Sequence, residues 1–196
     1  MPENKTRIIV GITGASGSVY AVKLLEQLKA AKVETHLVIS RAAMQVIPME
    51  TGMDAMEVAA MADFQYSPED IAASISSGSF RTAGMVIVPC SMRSMSEIAC
   101  GATSSLLTRA ADVTLKERRR LVLAIRETPL HLGHLRSLTA LAEMGAIIAP
   151  PVPAMYSCPK TVDDIVRQSV ARLLDLLGLE PENLFRWNGS PASVTK

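Results

Sequence analysis

The sequence has few aromatic residues, no excess of charge of either sign and no long apolar run. Phe, Trp and Tyr make up only 4% of its 196 residues, so aliphatic side chains must form the core. Twenty Lys and Arg against nineteen Asp and Glu give a formal net charge of +1, which excludes the basic excess of a non-specific nucleic-acid-binding protein. The most apolar stretch, around 145–156, is interrupted by prolines and is shorter than the ~20 residues that span a bilayer. We therefore expect neither nucleic-acid nor membrane partners.

The sequence also has few cysteines and shows no pattern typical of an export signal. The three cysteines, Cys90, Cys100 and Cys158, form no C-x-x-C pair, so neither a disulfide framework nor a zinc site is predicted. The apolar stretch near the start ends at Ile12, which is too short for the apolar region of a signal peptide. These absences predict a cytoplasmic protein.

Length and hydrophobic content predict one globular domain across residues 1–196. At 48% hydrophobic residues, the chain can bury a sizeable core. We expect this core over about 7–178 and a C-terminal tail over about 179–196.

Short β-branched runs alternate with amphipathic stretches along the chain. The predicted strands are 8–12, 33–40, 85–89, 121–125 and 145–149, and the predicted helices are 18–31, 41–47, 94–99, 104–117, 135–144 and 161–177. Pro48 is expected to interrupt the second helix, residues 50–81 show little pattern, and 74–79 is predicted to be a loop. Alternating strands and helices predict an α/β fold with a doubly wound parallel sheet, whose ligand crevice lies at the carboxyl ends of the strands.

Polar segments follow the predicted strands at this expected crevice. The glycine loop 13–17 opens a helix, and free N–H groups at a helix start suit a phosphate. Its spacing matches neither a P-loop nor G-x-G-x-x-G. Ser40 and Arg41 stand where an NAD site needs an acid, so NAD is disfavoured while NADP stays open. Arg126 and Glu127 form either a simple ion pair or a phosphate-binding fork beside a group that transfers protons.

Three other features are more simply interpreted as structural. His131 and His134 lie three residues apart near a helix start, and surface or capping roles are favoured over a metal site. Cys90 follows a strand without a nearby basic residue and is predicted to be a small buried hydrophobe. The arginine run 118–120 is predicted to be a solvated face.

Several separated motifs together resemble one protein family. They are Thr13-Gly-Ala-Ser-Gly17, Val38-Ile-Ser-Arg-Ala-Ala43, Pro89-Cys-Ser91, Arg109-Ala-Ala-Asp-Val113, Leu115-Lys-Glu-Arg-Arg119, Leu121-Val-Leu123, Arg126-Glu-Thr-Pro-Leu130, the stretch 150–156 and Arg186-Trp187. From about Arg7 to Trp187, their order and spacing closely resemble the UbiX-type flavin prenyltransferases, including relatives named as components of phenolic acid decarboxylases. The resemblance implies a flavodoxin-like fold, bound FMN and a large homo-oligomer, dodecameric in relatives.

The resemblance also implies an activity. The family joins the dimethylallyl group of dimethylallyl monophosphate to N5 and C6 of reduced FMN, builds a fourth ring without a metal, and supplies the product to UbiD-type decarboxylases. A cluster of cations would stabilise the departing phosphate. Two other functions stay open: an accessory protein that carries FMN to a decarboxylase without chemistry, and an NADP-dependent flavin reductase.

Site residues follow from the resemblance position by position. The implied flavin contacts are Gly14, Ala15, Ser16, Ser40, Ser91, Met92, Arg93, Ser94 and Arg126. The implied prenyl-phosphate contacts are Tyr156, Arg172, Lys116 and Arg109. Glu127 is implied as the catalytic glutamate, with Ser16 as the hydroxyl coupled to it and Lys116 as a catalytic neighbour. The chain departs from the family at Ser94, where a threonine is usual, and at Ser157, where a histidine commonly follows the tyrosine.

Overall fold

Six strands form one sheet in the computed structural model, which describes residues 5–182, 184–187 and 189. The strands are β1 (Arg7–Ile12), β2 (Glu34–Ile39), β3 (Phe64–Tyr66), β4 (Gly84–Cys90), β5 (Arg120–Ile125) and β6 (Ile147–Ile148). The helices are α1 (Ser18–Ala30), α2 (Arg41–Thr51), α3 (Ala55–Ala59), α4 (Met92–Ala99), α5 (Leu106–Lys116), α6 (Leu132–Glu143) and α7 (Val162–Leu176). Short 3-10 turns lie at Ser74–Ser76 and Met155–Ser157. In the described residues, none of the helices is long and apolar enough to cross a membrane.

The strand order is β3-β2-β1-β4-β5-β6, and every neighbouring pair is parallel. The predicted doubly wound, flavodoxin-like α/β fold is confirmed. From β1 the chain adds strands first on one side and then, beginning with β4, on the other. Such a reversal opens a crevice where the loops after the two strands part, so the ends of β1 and β4 mark the ligand site.

The sheet is covered on both faces by aliphatic side chains. Val86 and Val88 of β4 face a layer that includes helices α1 and α7. Met85 and Ile87 face the opposite layer with helices α4 and α5. All seven residues of β4 are buried, which explains why this strand is continuously apolar in the sequence.

Helix α2 does not end at Pro48 as predicted. It continues to Thr51, whose hydroxyl donates to the carbonyl of Ile47 at 2.7 Å. The helix ends instead at Gly52, which has a left-handed φ of 70° and donates its N–H to the carbonyl of Pro48 at 3.0 Å. The proline costs one internal hydrogen bond, and burial of Ile47 in the core holds the helix across it.

The stretch with little sequence pattern contains α3, β3 and a long loop. Asp54 and Glu57 close a capping box around the start of α3. The loop 67–83 is held from the other side by Arg119, whose guanidinium donates to the carbonyls of Gly78 at 2.6 Å and Phe80 at 2.8 Å. Arg119 is therefore not part of a solvated face: its side chain is only 16% exposed.

The histidines and the buried cysteine have the predicted structural roles. His131 caps α6, which begins three residues earlier than predicted, and its Nδ1 accepts from the N–H of His134 at 3.3 Å. Cys90 is fully buried, and burial raises the pKa of its thiol to about 12. It is therefore an inert core residue at neutral pH. Thr161 and Asp164 form the capping box predicted at the start of α7.

Candidate functional site

Two adjoining clefts open at the carboxyl ends of the strands. The central cleft, about 520 Å³, is lined by Gly14, Ala15, Ser16, Ser91, Met92, Arg93, Arg126, Glu127 and Thr128. The side cleft, about 600 Å³, is lined by Gly14, Ser40, Arg41, Ala42, Pro68, Glu69, Ser91, Arg93, Ser94, Glu97, Ser104 and Ser105. All predicted flavin-contact residues line one or both clefts, so the fold brings them together. Each volume lies in the range typical of small-molecule sites.

Thr13 ties together the two loops that line both clefts. Its side chain is buried, and its hydroxyl donates to the carbonyl of Pro89 at 2.7 Å and accepts from the N–H of Ser91 at 2.8 Å. The loop after β1 and the loop after β4 are thereby held in a fixed relation. The sequence placed Thr13 correctly at the carboxyl ends of the strands but did not assign it this role.

The glycine loop is shaped by packing. A side chain at Gly14 would place its Cβ 2.5 Å from the Cβ of Ala42, so the loop can lie against α2 only with glycine there. Gly17 has a φ of 117°, a left-handed value that favours glycine. The N–H groups of Gly17 and Ser18, expected to hold a phosphate, instead donate to Glu50 at 2.9 and 2.8 Å. An internal carboxylate already occupies this helix start, so these two groups do not form the predicted phosphate site.

Glu50 is the residue of the site that the sequence analysis missed. Burial raises the pKa of its carboxyl, but hydrogen bonds from the side chain of Ser16 and the backbone of Ser18 and Gly17 outweigh that effect and leave the pKa below its ordinary value. The group is therefore an anion at neutral pH in contact with Ser16. Since Glu50 lies 32 residues from Ser18 in the sequence, no local motif connects the two.

A phosphate is better accommodated in the side cleft. Ser40 caps α2 and Ser91 caps α4, each accepting one N–H from its helix. The other first-turn N–H groups have no intrahelical acceptor and, with the helix dipoles, favour an anion. Arg41 and Arg93 lie at the rim with side chains more than four-fifths exposed, and each pairs with a carboxylate of the same cleft, Glu69 at 2.6 Å and Glu97 at 2.9 Å.

The side chains of Arg126 and Glu127, at the end of β5, make hydrogen bonds to different partners. The Nε of Arg126 donates to the carbonyl of Ser16 at 3.0 Å. The carboxylate of Glu127 accepts from the N–H of Thr128 at 2.9 Å and faces the central cleft. Within the described part of the chain they do not form the ion pair that the sequence left open. Ser16 and Glu127 line the same cleft, as their implied coupling requires.

Tyr156 and Arg172 lie together in a separate place. They line the tail cleft, about 430 Å³, which is formed by Val152, Pro153, Ala154, Met155, Tyr156, Gln168, Ser169 and Arg172. One wall is apolar, while Arg172 and the phenol of Tyr156 supply polar contacts. This combination suits a small apolar group attached to an anion.

The remaining predicted contacts, Lys116 and Arg109, lie on α5. Lys116 is in the last turn of α5, beside the start of β5, and pairs with Glu117. It therefore lies near the amino end of β5, whereas the central and side clefts lie at the carboxyl ends of the strands. Arg109 pairs with Asp112 at 2.7 Å. One chain alone does not bring Lys116 to the central cleft.

Comparisons with known proteins show the family and the fold of the chain. The model of the family described as Flavoprotein matches residues 1–174. The chain is 57% identical over 187 residues to the flavin prenyltransferase UbiX of Escherichia coli K12, covering 94% of this chain and 99% of the relative. It is similar to the crystal structure of AnUbiX in complex with FMN and dimethylallyl pyrophosphate, with a TM-score of 0.93, 46% identity, and coverage of 95% of this chain and 100% of that one. A dodecameric FMN-dependent UbiX-like decarboxylase from Escherichia coli O157:H7 gives a TM-score of 0.91 at 51% identity, covering 94% and 100%.

Proposed function

The chain belongs to the UbiX-type flavin prenyltransferases, and from that membership we propose that it joins the dimethylallyl group of dimethylallyl monophosphate to N5 and C6 of reduced FMN. The observation that carries the assignment is the 57% identity to a flavin prenyltransferase over 94% of the chain. The clefts at the ends of β1 and β4 provide the matching site. FMN supplies the nucleophilic ring atoms when it is bound.

The two adjoining clefts divide the binding of FMN. The side cleft receives the phosphate through the starts of α2 and α4, with Arg41 and Arg93 at its rim. The central cleft receives the ring system beside Ser16 and Glu127. Ser91, the N-cap residue of α4, lines both clefts and therefore lies between the sites for the phosphate and for the ring system.

The tail cleft binds the prenyl donor. In the reaction the bond between C1 of the dimethylallyl group and the phosphate oxygen breaks, C1 bonds to N5, and the N5 proton leaves. The remaining double bond then takes up a proton at C2, C3 bonds to C6, and the C6 proton leaves. Tyr156 and Arg172 stabilise the departing phosphate. Glu127 accepts a proton or passes it to the released phosphate. Ser16, hydrogen-bonded to the anionic Glu50, lines the central cleft with Glu127.

A homo-oligomer is needed to assemble these groups. Lys116 lies near the amino end of β5, and Glu127 lies at its carboxyl end. One reaction centre can therefore include both only when a second copy supplies Lys116. A similar protein, the UbiX-like decarboxylase from Escherichia coli O157:H7, is described as dodecameric. We place the active site of this chain between the protomers of a comparable assembly.

The product is a modified cofactor, so its chemistry requires a recipient enzyme. A UbiD-type decarboxylase, which acts on aromatic acids, is the proposed recipient. The three free cysteines support a cytoplasmic location, where thiols stay reduced. Activation of a cofactor-free decarboxylase by the released product tests the partnership.

Mass spectrometry of the flavin tests the activity. The protein is incubated anaerobically with reduced FMN and dimethylallyl monophosphate, and the flavin is expected to gain one isoprene unit. Recovery of unmodified FMN that still activates a decarboxylase would favour an accessory carrier. In a separate assay with oxidised FMN and NADPH, reduction of FMN by NADPH by a protein that forms no prenylated flavin would identify a reductase.

A further inference from the structure

The C-terminal segment 184–187 is held against α7 by one buried amide. The Nε2 of Gln168 donates to the carbonyl of Phe185 at 2.9 Å, and its Oε1 accepts from the N–H of Phe185 at 3.0 Å. Gln168 is only 7% exposed. Its side chain therefore pairs with the segment as a neighbouring strand would, and both polar ends of a buried amide are satisfied.

A carboxylate further along α7 makes a second attachment. Asp175 accepts from Arg186 at 2.6 Å and also pairs with Arg172. The hydrogen bond from Arg186 is the main reason that the pKa of Asp175 lies below its ordinary value. Arg186 belongs to the segment and Arg172 to the tail cleft, so Asp175 connects the two.

The attachment gathers aromatic rings in a chain that has few of them. The sequence contains three Phe, three Tyr and one Trp, and two of these rings lie close to the ring of Tyr156, which lines the tail cleft. The ring of Phe185 lies 5.9 Å from that of Tyr156, and the ring of Trp187 lies 6.0 Å from it at 70°. Both distances are within the range of favourable aromatic pairs. Neither ring packs into the buried core, since Phe185 and Trp187 are at least half exposed.

We propose that Gln168 is a positioning residue for the prenyl donor: by holding the backbone of Phe185, it keeps the rings of Phe185 and Trp187 against Tyr156 and so fixes the position of this lining residue of the tail cleft. The ligand concerned is a short branched alkenyl phosphate, and the inference rests on the proposed function. Gln168 also lines the tail cleft, but both polar ends of its amide are bonded to Phe185, so its hydrogen bonds act through the segment and not on the reacting atoms.

The test compares Gln168→Met with Arg167→Met. Methionine keeps the length of the side chain and removes both hydrogen bonds. Arg167 is the preceding residue of α7, and its exposed side chain pairs only with Asp163 among the described residues, which makes it a matched control. With FMN bound, we expect Gln168→Met to raise the KM for dimethylallyl monophosphate about tenfold while kcat falls about twofold or less. Arg167→Met should keep the values of the unchanged protein.

Trp187 gives a second measurement that needs no turnover, because it is the only tryptophan of the chain. Its fluorescence anisotropy should fall in Gln168→Met, and a titration with dimethylallyl monophosphate should show weaker binding. Arg186→Gln removes only an exposed ion pair and should shift both quantities in the same direction by a smaller amount.

Each outcome decides between the inference and its alternatives. An unchanged KM in Gln168→Met together with reduced anisotropy would show that the segment is held but does not serve the donor. If Gln168→Met does not fold, equal KM values for Arg186→Gln and the unchanged protein would equally overturn the inference. Absence of prenylated flavin from the unchanged protein would contradict the proposed function. Binding of dimethylallyl monophosphate and the fluorescence anisotropy of Trp187 would still test the role of Gln168.

Discussion

At the residue scale, Glu127 is the proposed proton-transfer group, and its substitution distinguishes an enzyme from a flavin carrier. It lines the central cleft and touches no cation of its own chain among the described residues. Glu127→Gln keeps the shape but removes the titratable group, so we expect FMN to bind normally and turnover to slow by about 10²-fold or more. Single-turnover absorbance with reduced FMN and dimethylallyl monophosphate measures this. Cyclised product at the unchanged rate would remove Glu127 from the mechanism, and Glu26→Gln, on the exposed side of α1, serves as the control.

Thr13 is the residue whose loss should affect both loops at once. Thr13→Val keeps the volume but leaves the buried N–H of Ser91 without its acceptor. We expect the free energy of unfolding to fall by about 2 kcal/mol and FMN affinity to weaken with it. Chemical denaturation and flavin titration give the two values. Thr139→Val, which removes a hydroxyl bond on the exposed side of α6, should change neither.

His36 gives the fold a predicted pH dependence. It is buried on β2, with Nδ1 2.9 Å from the hydroxyl of Tyr66, Nε2 3.0 Å from Glu34 and its ring stacked on Phe64 at 4.9 Å. Burial lowers the pKa of the imidazole below 6.5, although the hydrogen bond to Glu34 opposes the shift. Arg7 pairs with Glu34 and acts in the same direction as burial, and the more distant Asp63 opposes it.

The sign of the effect follows from proton uptake. Below its ordinary pKa the unfolded chain protonates His36 while the folded chain resists, so stability is complete above about pH 6.5 and falls as the pH drops towards the folded-state pKa. We expect a slope approaching 1.4 kcal/mol per pH unit in that window. Urea denaturation from about pH 7 to pH 5 should show it. His36→Gln should flatten the slope, whereas the exposed cap variant His131→Gln should retain it.

At the scale of elements, the sequence predicted most of the strands and helices, including the two-residue β6, and missed α3 and β3. β4 is apolar at every position because both of its faces are covered, so its pattern is unambiguous. β3 has three residues, none of them buried, and offers no pattern to detect. Pro48 misled the prediction because the propensity of one residue was outweighed by burial of its neighbour Ile47.

The candidate site was predictable for a related reason. Three of its residues directly follow strands: Ser40, Ser91 and Arg126. The parallel topology alone therefore places them together at the carboxyl ends of the strands. Glu50 reaches the glycine loop from the last turns of another helix, and only the packing of α2 on that loop reveals the contact. The separation of Lys116 from Glu127 is likewise a property of where α5 ends, which motif order does not contain.

At the scale of the whole molecule, the proposed division of the site between protomers predicts complementation. Lys116→Ala and Glu127→Gln should each be nearly inactive alone. After the two proteins are mixed, dissociated and reassembled, some sites receive Lys116 from one copy and Glu127 from the other, so a substantial fraction of activity should return. Prenylated flavin is measured before and after reassembly. Activity that stays at the level of the separate variants would place both groups within one chain, and Glu127→Gln mixed with itself is the control.

The complete burial of β4 also sets how the molecule opens. Its amides bond to β1 and β5 in the middle of the sheet, so deuterium should enter them only through events that unfold the entire chain. The segment 184–187, attached by one amide and one exposed ion pair, should exchange far faster through local detachment. Hydrogen exchange would then rank the parts of the protein by how readily they open: β4, at whose end the site lies, would be among the last, and the segment 184–187 would be among the first.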